Sequence, residues 1–129
     1  MMDNKIIANI YELPPVPNVC NQILREIIKL PKVSGAHVTM NQGDESLIHE
    51  HNNMKEIYYI LSGEGILYCG NTAISVEKGA YISINPNTHH KLHNTGRKQL
   101  THLVFAMPPF NPKDVILTSE KNWEKPSKI

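Results

Sequence analysis

A chain of 129 residues is the size of one ordinary domain and is long enough to bury a hydrophobic core without covalent staples. Its 13 basic and 12 acidic side chains give a formal net charge of +1, so no basic surplus is present to hold a nucleic-acid backbone or an anionic membrane. No segment approaches the roughly 20 apolar residues of a membrane span, and the apolar stretch IIANI is too short for a signal peptide. We therefore expect a cytoplasmic protein with neither nucleic acid nor a membrane as a partner.

We predict that residues 1–34 form an N-terminal arm, interrupted by prolines, that includes the first strand or strands. This arm could form a dimer contact. Within it, residues 18–31 fit two patterns. Ile23 and Ile27 belong to a helical stripe with Val19 and Leu30, but they fit strand alternation equally well. The sequence leaves these alternatives open.

Two cysteines occur, Cys20 and Cys69, and they lack the close spacing of a metal knuckle. A disulfide between them is possible. The simpler interpretation is two free, half-buried thiols in a reducing compartment.

Residues 35–118 read as a series of short strands separated by turn clusters. The apolar runs are AHVTM, SLIHEH, EIYYIL, GILYCG, TAISV, AYISI, HHKLHN and LTHLVFAM, with turns such as NQGDE, SGEG and NPNT between them. Even spacing of short strands predicts an all-β sandwich or barrel. We predict that residues 119–129 form a solvated C-terminal tail. Lys91 is expected to be a solvated charge at a strand edge.

His49, His51 and Glu56 lie within a few residues of one another, just before an apolar strand. On a strand, residues two apart share a face, whereas on a helix they diverge by about 200°. A turn after His51 would bring Glu56 back opposite the two imidazoles. Imidazoles and a carboxylate converging on one point are the ligand types that first-row divalent metals prefer.

A second histidine cluster follows the turn NPNT and offers a fourth ligand. His89 and His90 must face opposite ways on a strand, so at most one of this adjacent pair enters the site. His89 and His93 are expected to point outward or to line the mouth of the site.

These two segments resemble the two sequence motifs of the cupin family. In the first motif every spacing fits: Gly43, His49, His51, Glu56 and Gly63. In the second motif Gly79, His90 and Asn94 fit, whereas Asn85 replaces the usual proline and Asn87 the usual glycine. Asparagine tolerates the left-handed backbone conformation that glycine supplies, so we expect that turn to be retained.

The resemblance implies an all-β, double-stranded β-helix or jelly-roll barrel over residues 35–118, with a divalent metal (Mn, Fe, Zn, Ni or Cu) held by His49, His51, Glu56 and His90. It implies a metal-dependent enzyme acting on a small oxygenated metabolite, by isomerase, lyase or dioxygenase chemistry. A non-catalytic module that binds or senses a small ligand or metal is the alternative, and a homodimer is expected. The run Pro108–Phe110 followed by Asp114 also resembles the tail of many one-domain cupins.

Tyr58 shares the parity of Glu56 on the strand, so it should point into the barrel and Tyr59 should point out. A buried tyrosine there is either a core aromatic or a phenol placed to give or take a proton during catalysis. His37 and His102 are predicted to be surface residues or satisfied core residues rather than ligands.

Overall fold

Antiparallel β-strands make up most of the molecule. The computed structural model describes residues 9–18, 22–119 and 122–126. Its strands are β1 (Ile23–Lys29), β2 (Ser34–Met40), β3 (His49–Glu50), β4 (Lys55–Ser62), β5 (Glu64–Cys69), β6 (Thr72–Glu77), β7 (Tyr81–Ile84), β8 (His90–His93), β9 (Leu100–Met107) and β10 (Ile116–Leu117). Two 3₁₀ turns, Ile10–Glu12 and Pro112–Asp114, complete the described elements. In the part of the chain that the structure describes, no helix has the length and apolar character of a membrane span.

The strands form two five-stranded sheets, with the orders β1-β2-β9-β4-β7 and β10-β3-β8-β5-β6. Neighbouring strands in both sheets are antiparallel, and most pairs join segments far apart in sequence. Two such sheets face to face bury their inner side chains between them. The predicted all-β jelly-roll barrel is confirmed.

Strand β4 shows how side-chain alternation builds the core. Tyr58 and Ile60 are 4% and 0% exposed, whereas Tyr59 between them is 40% exposed. The predicted faces of the two tyrosines are therefore confirmed. The buried hydrophobic cluster between the sheets consists of Val38, Met40, Tyr58, Ile60, Leu67, Val76, Ile84, Leu92 and Leu100.

Two turn residues carry the backbone conformation that the motifs require. Gly63 has φ +85°, and a Cβ added there would lie 2.5 Å from the backbone oxygen of Gln99. Asn87 adopts φ +63° in the place where the second motif usually has glycine, as expected. Its N–H donates to the carbonyl oxygen of His51 at 2.6 Å, so this turn is fastened to the first histidine motif.

Within the ambiguous segment of the N-terminal arm, Ile23–Lys29 form a strand. β1 pairs with β2 of the same chain, from Ile23 opposite Thr39 to Lys29 opposite Ser34. Cys20 lies outside the described residues, so the interpretation of that cysteine as a free thiol stays a prediction. Cys69 is a free, half-buried thiol that packs against the core, and burial raises its pKa.

The prediction of a solvated Lys91 is wrong, whereas the described part of the tail is mostly exposed, with Trp123 partly covered. Lys91 is only 7% exposed, because it packs over the Trp123 ring at 5.2 Å and forms an ion pair with Glu45 at 3.1 Å. Trp123 also meets Tyr68 edge to face at 5.6 Å. The described part of the tail thus covers the outer face of the second sheet, where an aromatic ring and a lysine stem both lose water-exposed apolar surface.

Candidate metal centre

Four predicted ligands come from both sheets, from β3 and β8 of one sheet and from β4 of the other, and meet inside the barrel. His49 lies on β3, and its Cα is paired with that of His90 at the start of β8. His51 follows β3, and Glu56 lies near the start of β4 after the intervening turn. The side chains of His49 and His51 both reach the cluster, as predicted, although β3 itself ends at Glu50 between them.

The four side chains form a buried cluster. One candidate ligand atom from each residue lies within 4.8 Å of the others. The exposed fractions are 4% for His49, 3% for His51, 6% for Glu56 and 1% for His90. Glu56 Oε1 is 3.1 Å from Nε2 of both His51 and His90. Ligand atoms at right angles around an ion, each about 2.1 Å from it, would be about 3 Å apart, so this spacing fits a shared metal.

Each imidazole is oriented by a backbone carbonyl. Nδ1 of His49 donates to the Leu47 oxygen at 2.7 Å, and Nδ1 of His90 donates to the Thr88 oxygen at 2.9 Å. Nδ1 of His51 donates to the Asp114 oxygen at 2.8 Å. Because a carbonyl oxygen only accepts, Nδ1 carries the hydrogen in all three rings, and Nε2 is the nitrogen left to bind an ion. Such outer hydrogen bonds fix ring orientation and raise ligand basicity.

The pKa shifts follow from burial and from this hydrogen bonding. Burial, followed by the neighbouring His90, lowers the pKa of His49 to about 4, so its ring is neutral at pH 7. Burial also opposes charge on His51, but the Glu56 carboxylate outweighs it and raises the pKa. Burial would raise the pKa of Glu56, yet the imidazoles of His51 and His90, each with Nε2 3.1 Å from Oε1, leave it well below its ordinary value. Glu56 is therefore an anionic ligand throughout the physiological range.

Asp114 is a supporting residue whose role was missed at the sequence level. Its carboxylate accepts N–H hydrogen bonds from Asn52 at 2.7 Å, and from Asn53 and Met54 at 3.1 Å each. Burial opposes its negative charge, but these donors and His51 leave its pKa lowered. One residue thus holds both the turn between two ligands and the ring of His51. The sequence signal was the acidic residue after Pro108–Phe110, but that pattern did not say what the carboxylate would contact.

A cavity of about 70 Å³ adjoins the cluster. His49, His51, Glu56 and Tyr58 form one side of it. The remaining lining residues come from β1, β2, β9 and their flanking segments: Val16, Pro17, Asn18, Gln22, Leu24, Glu26, Ser34, Gly35, Ala36, Val104, Ala106 and Phe110. No lysine or arginine is among the described lining residues, so the positive charge for an anionic ligand would have to come from a bound ion.

Tyr58 lies between the cluster and a buried histidine. Its ring meets His90 edge to face at 6.0 Å and stacks on His102 at 4.8 Å. His102 is 1% exposed, and its Nε2 has no hydrogen-bond partner among the described residues. Neither His102 nor His37 belongs to the ligand cluster, as predicted, but neither ring is fully satisfied, since His37 Nδ1 also lacks a partner among the described residues. His37 is 7% exposed and packs against Tyr11 outside the cavity.

The adjacent histidines separate as expected. His90 joins the cluster, whereas His89 and His93 neither belong to it nor line the cavity. Three neutral imidazoles and one carboxylate sum to −1, so a divalent ion would give the loaded site a net charge of +1. Nitrogen and oxygen donors of this kind suit Mn, Fe, Ni, Cu or Zn, and the residues present fit such an ion.

Comparison with known proteins places these features in context. The family model for the cupin domain matches residues 36–106. An uncharacterized protein of Methanocaldococcus jannaschii is 35% identical over 120 residues, which cover 88% of this chain and 96% of that protein. The oxalate-binding protein of Thermotoga maritima is 29% identical over 68 residues, which cover 53% of this chain and 56% of that protein.

Among solved structures, an uncharacterized Klebsiella pneumoniae protein with a double-stranded β-helix domain has a TM-score of 0.73 at 17% identity. The match covers 91% of this chain and 100% of that chain. At this identity the likeness shows the fold alone. The family assignment comes from the match of the cupin domain model to residues 36–106.

Proposed function

Because this chain belongs to the cupin family, we propose that its buried cluster binds a divalent transition metal and that the protein is a metal-dependent enzyme acting on a small oxygenated metabolite. One observation carries the proposal. Three rings with Nδ1 tied to carbonyl oxygens present Nε2 beside the same carboxylate, with all four residues buried. A purely structural histidine cluster would not need this common orientation.

The cavity beside the cluster supports a catalytic rather than a closed structural site. His49, His51 and Glu56 line it directly, so a ligand in the cavity would reach any ion that they hold. When bound, such an ion would act as a Lewis acid toward an oxygen of the substrate or, if it is iron, would support dioxygen chemistry. At about 70 Å³, the cavity favours a molecule of a few heavy atoms.

Tyr58 is the proposed proton-transfer residue. It lines the same cavity and is 4% exposed. Its stacking on His102 restricts the phenol ring, and a positioned phenol can give or take a proton at a substrate oxygen or carbon. Isomerase or lyase chemistry would require this transfer, whereas oxidative cleavage would tolerate its loss. A Tyr58→Phe variant separates the two: a fall in turnover of about 100-fold with metal content unchanged favours proton transfer.

A non-catalytic binding module is the second candidate. It is favoured by the similarity to a protein named for binding oxalate rather than for converting it. The cluster and cavity would then hold a small acid without turnover.

Metal analysis together with a turnover panel tests the proposal. Protein purified without added metal should carry close to one ion per chain, and a His90→Ala variant should lose it while keeping its β-sheet circular dichroism. His89→Ala removes a neighbouring imidazole outside the cluster and should retain the ion. Oxygen consumption or conversion of small oxo acids, hydroxy acids and diketones would support the enzyme, and tight binding without turnover would support the module. Absence of metal from the wild type at saturating supply would contradict both.

A further inference from the structure

We infer that Gln22 selects the ligand: its side-chain amide donates a hydrogen bond to the free carboxylate oxygen of a small 2-oxo or 2-hydroxy acid held at the metal cluster. The inference rests on the proposed function, since the acid would bind the ion through its other two oxygens. It narrows the substrate class from small oxygenated metabolites to small carboxylic acids.

The amide of Gln22 is an unused donor beside the cavity. Gln22 lines the cavity, and its Nε2 is buried without a hydrogen-bond partner among the described residues. A buried donor without an acceptor is costly, because the group has lost its water and gained nothing in return. An acceptor oxygen supplied by the ligand would remove that cost.

The backbone of Gln22 is fixed, so the amide is presented from a defined position. Asn18 Nδ2 donates to the Gln22 carbonyl oxygen at 2.8 Å, and the Gln22 N–H donates to Asn18 Oδ1 at 3.1 Å. Asn18 Nδ2 also donates to the Val16 oxygen at 3.1 Å. The Asn18 side chain is therefore engaged in holding this segment, and none of its hydrogen bonds uses the side-chain amide of Gln22.

The rest of the cavity wall offers little else to a carboxylate. Most lining side chains are apolar. Ser34 Oγ accepts the Phe110 N–H at 2.8 Å and keeps its own O–H as a donor, so Ser34 and Tyr58 are the two hydroxyls beside the Gln22 amide among the described lining residues. Glu26 can only accept, and its charge would repel an anion. With a divalent ion bound, the cluster would have a net charge of +1 and would balance one negative charge on the ligand. The site therefore suits a monoanion better than a dianion.

Counting oxygens separates the candidate ligands. A 2-oxo or 2-hydroxy acid has three oxygens, two for the ion and one for Gln22. A diketone or a catechol uses both of its oxygens on the ion and leaves none for an amide. Loss of the Gln22 donor should therefore weaken acids selectively.

Cobalt-loaded protein gives a readout that does not depend on turnover, because the visible absorption of the ion changes when ligands enter its shell. Wild type, Gln22→Leu and Gln22→Glu would be titrated with glycolate, pyruvate and acetylacetone. We expect Gln22→Leu to bind both acids about tenfold more weakly and acetylacetone within about twofold of wild type. Gln22→Glu should lose more acid affinity, since it replaces a donor by an anion of the same shape.

Gln99→Leu is the matched control. Gln99 makes the same kind of amide hydrogen bond, to Asn41 Oδ1 at 3.0 Å, but on an exposed surface outside the cavity. Its loss should leave all three affinities unchanged. Equal weakening of the acids and acetylacetone in Gln22→Leu, no weakening at all, or no acid binding by cobalt-loaded wild type would overturn the role of Gln22. Failure of the wild type to take up cobalt would overturn the proposed function as well.

Discussion

Replacing Asp114 with alanine tests how the C-terminal segment supports the metal cluster. The change removes the acceptor of three backbone N–H groups, of Asn52, Asn53 and Met54, while keeping the carbonyl that orients His51. A hydrogen bond to a charged group contributes about 1.5–3 kcal/mol. Water can reach part of a surface turn once the carboxylate is gone, so we expect a total loss near 3 kcal/mol rather than the sum.

The same variant should bind metal about 10- to 100-fold more weakly. Mutating residues that support metal ligands from outside the coordination shell typically lowers metal affinity by this factor. Urea unfolding of chelator-treated protein measures the stability loss, and competition with a coloured chelator measures metal affinity. Asp44→Ala is the control, since Asp44 accepts the Asn41 N–H at 2.8 Å in an exposed turn outside the cluster. Metal affinity within twofold of wild type for Asp114→Ala would refute the supporting role.

Three further predictions follow from particular residues. First, burial lowers the pKa of His102 to about 4, below the 6.5 of an unfolded histidine, so the unfolded chain binds more protons between these values. The free energy of unfolding of the apo-protein should then fall as the pH drops from 6.5 to 4. In a His102→Leu variant, which cannot titrate there, urea unfolding should show a pH dependence of this free energy that is smaller by up to about 1.4 kcal/mol per pH unit. Second, Gly63→Ala should destabilise the fold by roughly 3 kcal/mol or more, because its added Cβ would meet backbone atoms at a positive φ. Gly70→Ala, whose nearest contact is 3.7 Å, should cost only about 1 kcal/mol in the same unfolding assay. Third, we propose a homodimer, because Tyr81 is 75% exposed and the edge strand β1 of the first sheet carries exposed isoleucines. Sedimentation at micromolar protein concentration should then give a mass of twice 14.6 kDa.

Each of these has a result that would count against it. An unchanged pH slope in His102→Leu would mean that another group controls acid stability. Equal costs for the two glycine variants would remove the steric argument, and a single 14.6 kDa species would reject the dimer.

The sequence by itself predicted the cluster: local strand geometry brought His49, His51 and Glu56 together, and the resemblance to the cupin motifs selected His90 over His89. Residues two apart on a strand share a face whatever the rest of the fold does, so the spacing of His49 and His51 already aimed both rings together. The same parity assigned Tyr58 to the interior, and the left-handed tolerance of asparagine explained Asn87 in place of glycine.

Only the tertiary structure decided which distant segments support and enclose that cluster. Asp114 reaches the turn at Asn52 from more than 60 positions away, and Gln22 reaches the cavity from just before the edge strand β1. Lys91 is buried because Trp123 folds back over it. Such contacts leave no period in the sequence, since they depend on how whole segments dock and not on the spacing of neighbours along one strand.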